Sequence, residues 1–194
     1  VRILVVTAHP LETSFVASLR RRAIEVLRAG GHEVDDLDLY AAGFDPLMSA
    51  AMLRDYVDTS KNRTEVAPYV ERVLAAEALV LVYPVWFDGL PAILQGFFER
   101  IFLPGVAFRI DEENLFHPTL WNIRRLAAIC TYGECRAHVS LKGDPPRRFV
   151  RRNIGAVIAP GATIDYLAHY DMNFTTAPQR ARFLGRVTRA FRTW

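Results

Sequence analysis

Residues 78–103 constrain the fold of this chain more than any other stretch of its sequence. They read ALVLVYPVWFDGLPAILQGFFERIFL. Residues 78–83 form an unbroken apolar run, which is typical of a strand buried on both faces of a parallel sheet. Pro84 cannot donate a ladder hydrogen bond, so the strand is expected to end there. We expect a turn at residues 88–89 and then an apolar helix that begins at residues 90–91.

Two large aromatic residues, Trp86 and Phe87, follow this strand instead of lying within it. In an open parallel sheet, the loops at the carboxyl ends of the strands are where ligands bind. An aromatic pair in such a loop suits a flat, aromatic ligand, and the backbone N–H groups of the loop would be free to bind its polar edges. The alternative is that both rings belong to the core, which is the default for aromatic residues near a strand. Their position after the strand favours the ligand interpretation.

The rest of the sequence alternates between strand and helix patterns. Short apolar or alternating runs predict the strands, and apolar residues three or four apart predict the helices. The strands are expected at residues 2–7, 32–39, 78–83, 126–131 and 162–168. The helices are expected at residues 15–28, at 64–76, from 90, after the double proline at 145–146, and from about 178.

Five strands that alternate with helices predict an α/β protein, a doubly wound three-layer sandwich around a five-stranded parallel sheet. We expect the strand order 2-1-3-4-5. Residues 1–194 are expected to form a single domain, because the sequence contains no repeat and no interdomain linker. Residues 40–63 and 105–122 are expected to be irregular, and segments of this length usually cover a site or a partner surface.

Composition excludes several classes of protein. Apolar residues make up 51% and charged residues 23% of the chain, which excludes intrinsic disorder. No apolar run approaches the roughly 20 residues of a membrane span. The net charge of +3 is too small to indicate binding to nucleic acid. Cys130 and Cys135 have no metal-ligand partners at the usual spacing, so we expect two reduced thiols in a soluble, cytoplasmic protein.

A candidate phosphate site follows the first strand, in the loop AHPLETSF. Thr13 and Ser14 stand where the next helix begins, and the unpaired N–H groups and the dipole of a helix N-terminus favour anions. The alternative is that one of these hydroxyls only caps the helix. His9 is a further candidate donor to a phosphate, although a single histidine beside a proline is more often structural. The proximity of the other ligand loops favours the phosphate interpretation.

The loop after the fourth strand, TYGEC, completes a set of three loops at adjacent strand ends. Gly133 in this loop permits close approach of the backbone to a ligand. The sequence has no Walker motif, no GxGxxG, no cluster with metal-ligand spacing and no assignable Ser-His-Asp set. An aromatic platform and a phosphate loop with few acid–base residues indicate that a bound cofactor carries the reaction.

Taken together, these loops resemble the flavin-dependent NAD(P)H:quinone oxidoreductases, a group with a flavodoxin-like fold that is related to the quinone reductases and the modulator-of-drug-activity enzymes. The resemblance extends over nearly the whole chain. It is carried by AHPLETSF, by FDPL at residues 44–47 and, most specifically, by YPVWFDGLPAILQGFFERIF. TYGE at residues 131–134 resembles the flavin loop of the group more weakly.

The resemblance implies a homodimer with one flavin per subunit, FAD or alternatively FMN, and NAD(P)H as co-substrate. It implies a ping-pong reaction in which hydride passes from NAD(P)H through the flavin to a quinone or similar two-electron acceptor. By position, the phosphate end would be held by His9, Thr13, Ser14 and Phe15. The isoalloxazine would be framed by Pro84, Val85, Trp86, Phe87, Thr131, Tyr132, Gly133 and Glu134. The substrate pocket would include Trp86, Phe108, Tyr132, Arg136 and His138, with Phe108 reaching into the pocket of a second subunit.

The sequence departs from the pattern of the group at several positions. Val16 stands where the group commonly has asparagine, and Glu134 stands where it has glycine, which adds a negative charge near the flavin loop. Arg136 and Lys142 occupy the places of a Tyr/His pair found in the quinone reductases. No catalytic residue is therefore assigned, and His138 is a substitute by proximity alone.

Two alternative functions remain open from the sequence. One is a non-catalytic ancillary subunit on the same fold, which binds a partner such as an ion-efflux channel through the basic segment 147–152. The arginine pairs of this segment are otherwise interpreted as a solvated helix face or as phosphate contacts. The other alternative is an electron carrier without a pyridine-nucleotide site, which the basic charge balance disfavours. We also expect the apolar helix after residue 90 to pack against a second subunit.

Overall fold

Five of seven β-strands form one parallel sheet in the computed structural model, which describes residues 1–194. The strands are Arg2–Thr7 (β1), Glu33–Asp38 (β2), Ala78–Pro84 (β3), Phe108–Ile110 (β4), Phe116–Pro118 (β5), Arg125–Thr131 (β6) and Thr163–His169 (β7). β3 is buried along its whole length and pairs with β1 on one side and β6 on the other. The order β2-β1-β3-β6-β7 confirms the predicted order 2-1-3-4-5, counted over the strands of this sheet.

Seven α-helices flank the strands: Phe15–Ala29 (α1), Ala50–Arg54 (α2), Ala67–Ala75 (α3), Ala92–Ile101 (α4), Arg136–Leu141 (α5), Pro145–Arg148 (α6) and Ala177–Phe191 (α7). α6 continues into a π-helical turn at Phe149–Ile154, and a 3₁₀ turn lies at Met172–Phe174. The end of α1 follows from its sequence, because Gly31 adopts a φ of 81°, which glycine permits at no steric cost.

Helices cover both faces of the sheet, so the apolar side chains of the strands are divided between two cores. Along β1, Leu4 and Val6 join the core that includes α3 and α4, whereas Ile3 and Val5 join the core that includes α1 and α7. This division follows from the two-residue period of a strand. The chain therefore forms the predicted three-layer α/β sandwich.

Some short elements lie where the sequence predicted none. α2 and the antiparallel β4–β5 hairpin lie within the two segments that were expected to be irregular, and α5 follows β6. Strands of three residues and helices of five or six carry too few residues to show a periodic pattern. The double proline forms the first turn of α6, where a missing N–H group costs no hydrogen bond.

The apolar side chains of α4 are buried within the single chain, so the expectation that this helix needs a second subunit is wrong. Ile93, Leu94, Phe97 and Ile101 are at most 8% exposed. The ring of Phe44, from the segment before α2, packs against Phe97 with centroids 5.7 Å apart. The long segment after β2 therefore contributes to the cover of α4.

The motif FDPL is held against α4 by a close contact and by a buried cation. A side chain at Gly96 would collide with the backbone of Pro46, so glycine is needed where the two segments meet. The Arg100 guanidinium donates to the backbone carbonyl of Asp45 and pairs with the carboxylates of Asp45 and Glu65 at 3.3 and 3.2 Å. FDPL and GFFER therefore form one structural unit.

Candidate cofactor-binding site

Parallel pairing brings three loops together at one edge of the sheet. The backbone N–H of Ala8 donates to the carbonyl of Val82 over 3.1 Å, and the N–H of Val85 donates to the carbonyl of Thr131 over 2.8 Å. Pro84, the last residue of β3, lies in register with Thr131, the last residue of β6. The loops that follow β1, β3 and β6 are therefore neighbours, as the sequence predicted.

The loop after β1 presents unpaired hydrogen-bond donors at the start of α1. Ser14 caps the helix, because its Oγ accepts from the N–H of Ala17 at 3.1 Å, and its hydroxyl proton remains free to donate. The N–H groups of Phe15 and Val16 have no acceptor in the chain. Thr13 is exposed and does not cap the helix. The cap interpretation is correct for Ser14, and the free donors around it still suit an anion.

His9 is held in a neutral, donating form. Its Nδ1 accepts a hydrogen bond from the N–H of Leu11 at 3.0 Å, which leaves the proton of the neutral ring on Nε2. Burial lowers the pKa of His9 below its ordinary value of 6.5. The ring lies 6.0 Å from that of Trp86, centroid to centroid, at an angle of 57°. His9 therefore joins the loop after β1 to the loop after β3 and keeps one N–H available.

Trp86 and Phe87 lie outside the core, with exposed fractions of 43% and 106%. Backbone hydrogen bonds of 3.2 and 2.9 Å between Trp86 and Gly89 close a tight turn. Within it, Phe87 and Asp88 have φ values of 49° and 57°. Residues other than glycine rarely adopt this left-handed conformation, and such turns cluster at functional sites. The alternative that both rings belong to the core is wrong.

The loop after β6 directs its side chains in different directions. The side chain of Tyr132 points into the core, where its hydroxyl donates to the Asp144 carboxylate over 2.6 Å and lies 2.5 Å from the hydroxyl of Tyr166. Burial raises the pKa of Tyr132, so this hydroxyl stays protonated. The flanking residues Thr131 and Gly133 line the space between the three loops.

An exposed lysine joins the loop after β3 to the loop after β6. The Lys142 Nζ donates to both carboxylate oxygens of Asp88 at 2.7 Å and to Glu134 at 2.7 Å. Hydrogen bonds to Asp88 and then to Glu134 raise the pKa of Lys142. The negative charge that Glu134 adds to this loop therefore faces a lysine that also pairs with Asp88 in the turn after Trp86.

A cavity of about 550 Å³ lies between these loops, and we call it the loop cavity. Its lining consists of His9, Leu11, Ser14, Phe15, Val16, Pro84, Val85, Trp86, Phe87, Thr131, Gly133, Met172 and Asn173. Most of these residues were predicted to bind the cofactor, but Leu11, Val16, Met172 and Asn173 were not. Met172 and Asn173 follow β7, the neighbour of β6. They therefore also lie at the carboxyl end of a parallel strand, where ligands bind in open sheets.

Some predicted site residues lie outside the loop cavity. They are Thr13, Phe108, Tyr132, Glu134, Arg136 and His138. Phe108 lies on the β4–β5 hairpin, where its ring stacks on that of Phe116 at 5.2 Å. Arg136 lines a separate, arginine-rich cleft, and His138 is exposed on α5. The substrate residues predicted after β6 therefore do not meet Trp86 within one chain.

A second cavity of about 550 Å³ adjoins the loop cavity and shares His9 and Leu11 with it. Its floor includes Thr7, whose buried hydroxyl has no hydrogen-bond partner. Arg20 lines its wall and pairs with Asp36 at 2.9 Å. The two cavities together offer room for a ligand longer than the loop cavity alone can hold.

The chain matches one protein family over most of its length. The model of the family described as "Flavodoxin-like fold" matches residues 1–176, which is most of the chain. The chain belongs to the flavodoxin-like fold family. The sheet order and the ligand loops at the ends of β1, β3 and β6 agree with this membership.

Two relatives of this flavodoxin-like protein are named as quinone-reducing enzymes. It is 32% identical over 158 residues to "NAD(P)H dehydrogenase (quinone) 1" of Cavia porcellus, which covers 73% of this chain and 57% of that protein. It is 30% identical over 135 residues to "FMN-dependent NADH:quinone oxidoreductase" of Ruegeria pomeroyi, which covers 65% of this chain and 63% of that protein. The chain spans about half the length of the curated relatives it matches.

A solved structure shows the same fold. The "NAD(P)H:quinone oxidoreductase from Methanothermobacter marburgensis" superposes on this chain with a TM-score of 0.81. It is 24% identical in sequence, and the superposition covers 98% of this chain and 97% of that one. At this level of identity the likeness establishes the flavodoxin-like architecture.

The donors and rings of the loop cavity fit a flavin nucleotide. The free N–H groups of Phe15 and Val16 and the hydroxyl of Ser14 suit a phosphate. The exposed ring of Trp86 offers a face for a flat heterocycle, and Gly133 allows the backbone of its loop to approach that heterocycle. The donor set and the aromatic surface therefore match the two chemical halves of a flavin mononucleotide unit.

Other kinds of site find less support in the structure. No group of three or more histidine, cysteine, aspartate or glutamate side chains is arranged to hold a metal ion. None of the helices combines the length and the apolar character that crossing a membrane requires. The thiols of Cys130 and Cys135 are free, and burial raises the pKa of Cys130 to about 12.

Proposed function

We propose that this protein is a flavin-dependent NAD(P)H oxidoreductase that reduces a quinone or a similar two-electron acceptor. The observation that carries the proposal is the shared cavity. An exposed aromatic turn at Trp86 and the unpaired N–H groups at the start of α1 line the same space. The names of the relatives support the redox chemistry.

Different residues of the loop cavity would bind the phosphate and the isoalloxazine of the cofactor. Ser14 and the N–H groups of Phe15 and Val16 would bind the phosphate, with His9 Nε2 as a further donor. The backbone of residues 84–87 and 131–133 would frame the isoalloxazine, with Trp86 beside it. A bound flavin supplies the two-electron chemistry, accepting hydride from NAD(P)H and passing electrons to the acceptor.

The proposed flavin is FAD, with FMN as the alternative. The adjoining cavity, which is lined by Thr7 and Arg20 among other residues, has room for an adenosine monophosphate half. The Ruegeria pomeroyi relative is named as FMN-dependent, which keeps FMN in consideration. An FAD assignment requires that both cavities be filled by one ligand.

The proposed reaction has a ping-pong order, which the shape of the site supports. Trp86 lines the loop cavity, so donor and acceptor would occupy this cavity in turn. His9 is the only titratable side chain in its lining, and its pKa is lowered by burial. The protein's part in the reaction would therefore be to position the reactants, with little general acid–base catalysis by side chains.

We propose that the active form is a homodimer in the cytoplasm. Phe87 is exposed to solvent in the single chain, and Phe108 and Phe116 form an aromatic surface on the hairpin. Phe108 from a second copy would complete the substrate pocket beside Phe87, where the first chain leaves it open. Free Cys130 and Cys135 are consistent with a reducing compartment.

Reconstitution with flavin tests this proposal against the ancillary-subunit alternative. The purified protein is titrated separately with FAD and FMN, binding is followed by flavin fluorescence, and turnover is measured with NADPH, NADH and a benzoquinone. The proposal expects saturable binding of one flavin per chain and quinone-dependent oxidation of the nucleotide. Binding without reduction by either nucleotide would favour the ancillary role, and absence of binding would refute a flavin function.

A further inference from the structure

Five arginines line a cleft that shares no residue with the loop cavity. The cleft has a volume of about 430 Å³, and its charged lining consists of Arg136, Arg147, Arg148, Arg151, Arg152 and Asp144. We call it the arginine cleft. The excess of positive over negative charge in this lining is larger than the net charge of +3 for the whole chain. Such concentration of one sign attracts anions.

The arginines of the cleft lack counter-charges within the chain. The guanidinium groups of Arg136, Arg148 and Arg152 form no hydrogen bond and no ion pair, whereas Arg20 and Arg72 elsewhere are paired with carboxylates at 2.9 and 2.6 Å. Like charges held together repel one another, and Asp144 is the single acid among the five arginines of the lining. A guanidinium group can donate two parallel hydrogen bonds to the oxygens of a phosphate or a carboxylate. The cleft therefore suits a ligand that carries several negative charges.

The single acid of the cleft, Asp144, offsets only one of its five positive charges. Asp144 accepts the hydroxyl proton of Tyr132 over 2.6 Å and the backbone N–H of Arg147 over 3.4 Å. The guanidinium of Arg147 lies over the ring of Tyr166, 5.7 Å from its centroid, rather than against the carboxylate. Asp144 is therefore held by Tyr132 and by the backbone of Arg147, and the cleft keeps an excess of positive charge.

A stacked pair of rings connects the lining of the arginine cleft to the loop after β6. Tyr170 lines the cleft and stacks on Tyr132, with centroids 4.9 Å apart and an interplanar angle of 25°. The residues on either side of Tyr132, Thr131 and Gly133, line the loop cavity. A ligand that is bound at Trp86 and is long enough to pass the edge of this stack would place its distal groups among the arginines.

We propose that the arginine cleft binds the phosphates of the adenosine half of the reduced nucleotide, and that it makes NADPH the preferred donor over NADH. The inference rests on the proposed function, because it places the nicotinamide end in the loop cavity. The volume of the cleft exceeds what one phosphate needs and falls in the range of small-molecule sites. The additional dianionic phosphate of NADPH offers the unpaired guanidinium groups the counter-charge that NADH lacks.

The experiment compares three donors with a charge-removing double variant. Arg148→Gln with Arg152→Gln removes two side chains that hold nothing within the chain. The control is Arg182→Gln with Arg189→Gln, which removes the same charge from the exposed face of α7. The donors are NADPH, NADH and 1-benzyl-1,4-dihydronicotinamide, which has no phosphate. Flavin-loaded protein is used for kcat/KM, and calorimetry measures the binding of 2′,5′-ADP and of inorganic phosphate to the same variants.

The expected results follow from the loss of charge-assisted hydrogen bonds. The cleft variant should lose about 10-fold to 100-fold in kcat/KM for NADPH, lose less for NADH, and retain its rate with the benzyl donor. Its affinity for 2′,5′-ADP should fall by at least about tenfold, while the α7 control stays near the wild-type values. Equal kcat/KM for NADPH and NADH in the wild type, or an equal loss with all three donors, would overturn the proposal.

Failure of the proposed function can be recognised separately. If no donor, including the benzyl compound, reduces the flavin, the oxidoreductase function is refuted, and the cleft is then judged by 2′,5′-ADP binding alone. Arginine-dependent binding of 2′,5′-ADP would retain a nucleotide-phosphate site. Binding of inorganic phosphate with equal affinity would instead indicate a free phosphorylated effector and overturn the donor assignment.

Discussion

The Lys142 ammonium lies 2.7 Å from both carboxylate oxygens of Asp88, 54 residues away in the sequence. The same ammonium pairs with Glu134 at 2.7 Å. Asp88 belongs to the turn that presents Trp86 and Phe87, and Glu134 belongs to the loop after β6. One exposed lysine thus connects two of the three loops that form the loop cavity.

Replacement of this lysine should loosen the cofactor site without unfolding the protein. Lys142→Gln removes both ion pairs, so the turn at Trp86 becomes more mobile and flavin should dissociate severalfold faster in stopped-flow measurements. The difference should shrink at high salt, because exposed ion pairs are screened. The matched control is Lys61→Gln, which breaks an exposed pair with Asp58 outside the cavity. An unchanged dissociation rate in Lys142→Gln would contradict the role assigned to this contact.

Trp86→Ala should separate cofactor binding from folding. The side chain is 43% exposed, so apoprotein stability should change by no more than about 0.5 kcal/mol. Loss of an aromatic partner should weaken flavin binding by about 1–3 kcal/mol. Fluorescence titration and chemical denaturation measure the two quantities. Trp121→Ala, which removes another exposed tryptophan outside the loop cavity, should affect neither. Equal losses of binding and stability in Trp86→Ala would mean that the ring supports the fold.

Two identical substitutions in helices should have opposite effects on stability. Gly96→Ala places a methyl group against the backbone of Pro46, and overpacking of this kind costs about 1–3 kcal/mol. Gly185→Ala places it in ordinary contact, 3.7 Å from the Arg189 side chain, and should stabilise α7 by about 0.5–1 kcal/mol. Urea denaturation of the apoproteins measures both. A neutral Gly96→Ala would show that FDPL and α4 do not meet closely.

The protein should become less stable as pH falls below about 6.5. Burial lowers the pKa of His9, and burial together with Arg186 and Arg180 lowers that of His169. Between the folded-state and the unfolded-state pKa values of these two histidines, the unfolded state binds more protons than the folded state. The free energy of unfolding therefore decreases as pH falls through that window. At a pH above the pKa of histidine in the unfolded state, these two groups should not affect how the free energy of unfolding depends on pH.

Denaturation of the apoprotein between about pH 7.5 and about pH 5 checks this dependence. The double variant His9→Gln with His169→Gln should show a shallower slope than the wild type, whatever its absolute stability. The slope is the decisive quantity, because the ring of His169 also packs against Phe15 and Phe183. A slope that is equal in both proteins would assign the acid sensitivity to other groups.

The sequence predicted the sheet because each of its strands carries its own pattern. The apolar run of β3 and the alternation of β2 are local properties, and the parallel connections then limit the strand order. The ligand loops after β1, β3 and β6 followed from that order. Short elements such as the β4–β5 hairpin carry no comparable pattern, and their formation depends on contacts with the rest of the chain.

Side-chain partners in the site were harder to predict than the loops that carry them. The direction of Tyr132 into the core depends on Asp144 and Tyr166, which are distant in sequence. Asn173 enters the loop cavity from the end of β7, a loop with no distinctive motif. The apolar surface of α4 was attributed to a second subunit because the cover provided by the segment after β2 has no signature in the sequence.

Anaerobic titration of the flavin-loaded protein with NADPH tests the central claim most directly. The flavin's visible absorbance is recorded as NADPH is added, and then as a benzoquinone is added without oxygen. The proposed function predicts that about one equivalent of NADPH bleaches the flavin and that about one equivalent of quinone restores its absorbance, as hydride transfer through a bound flavin requires. A flavin that stays oxidised with NADPH, NADH and a phosphate-free dihydronicotinamide would contradict the claim.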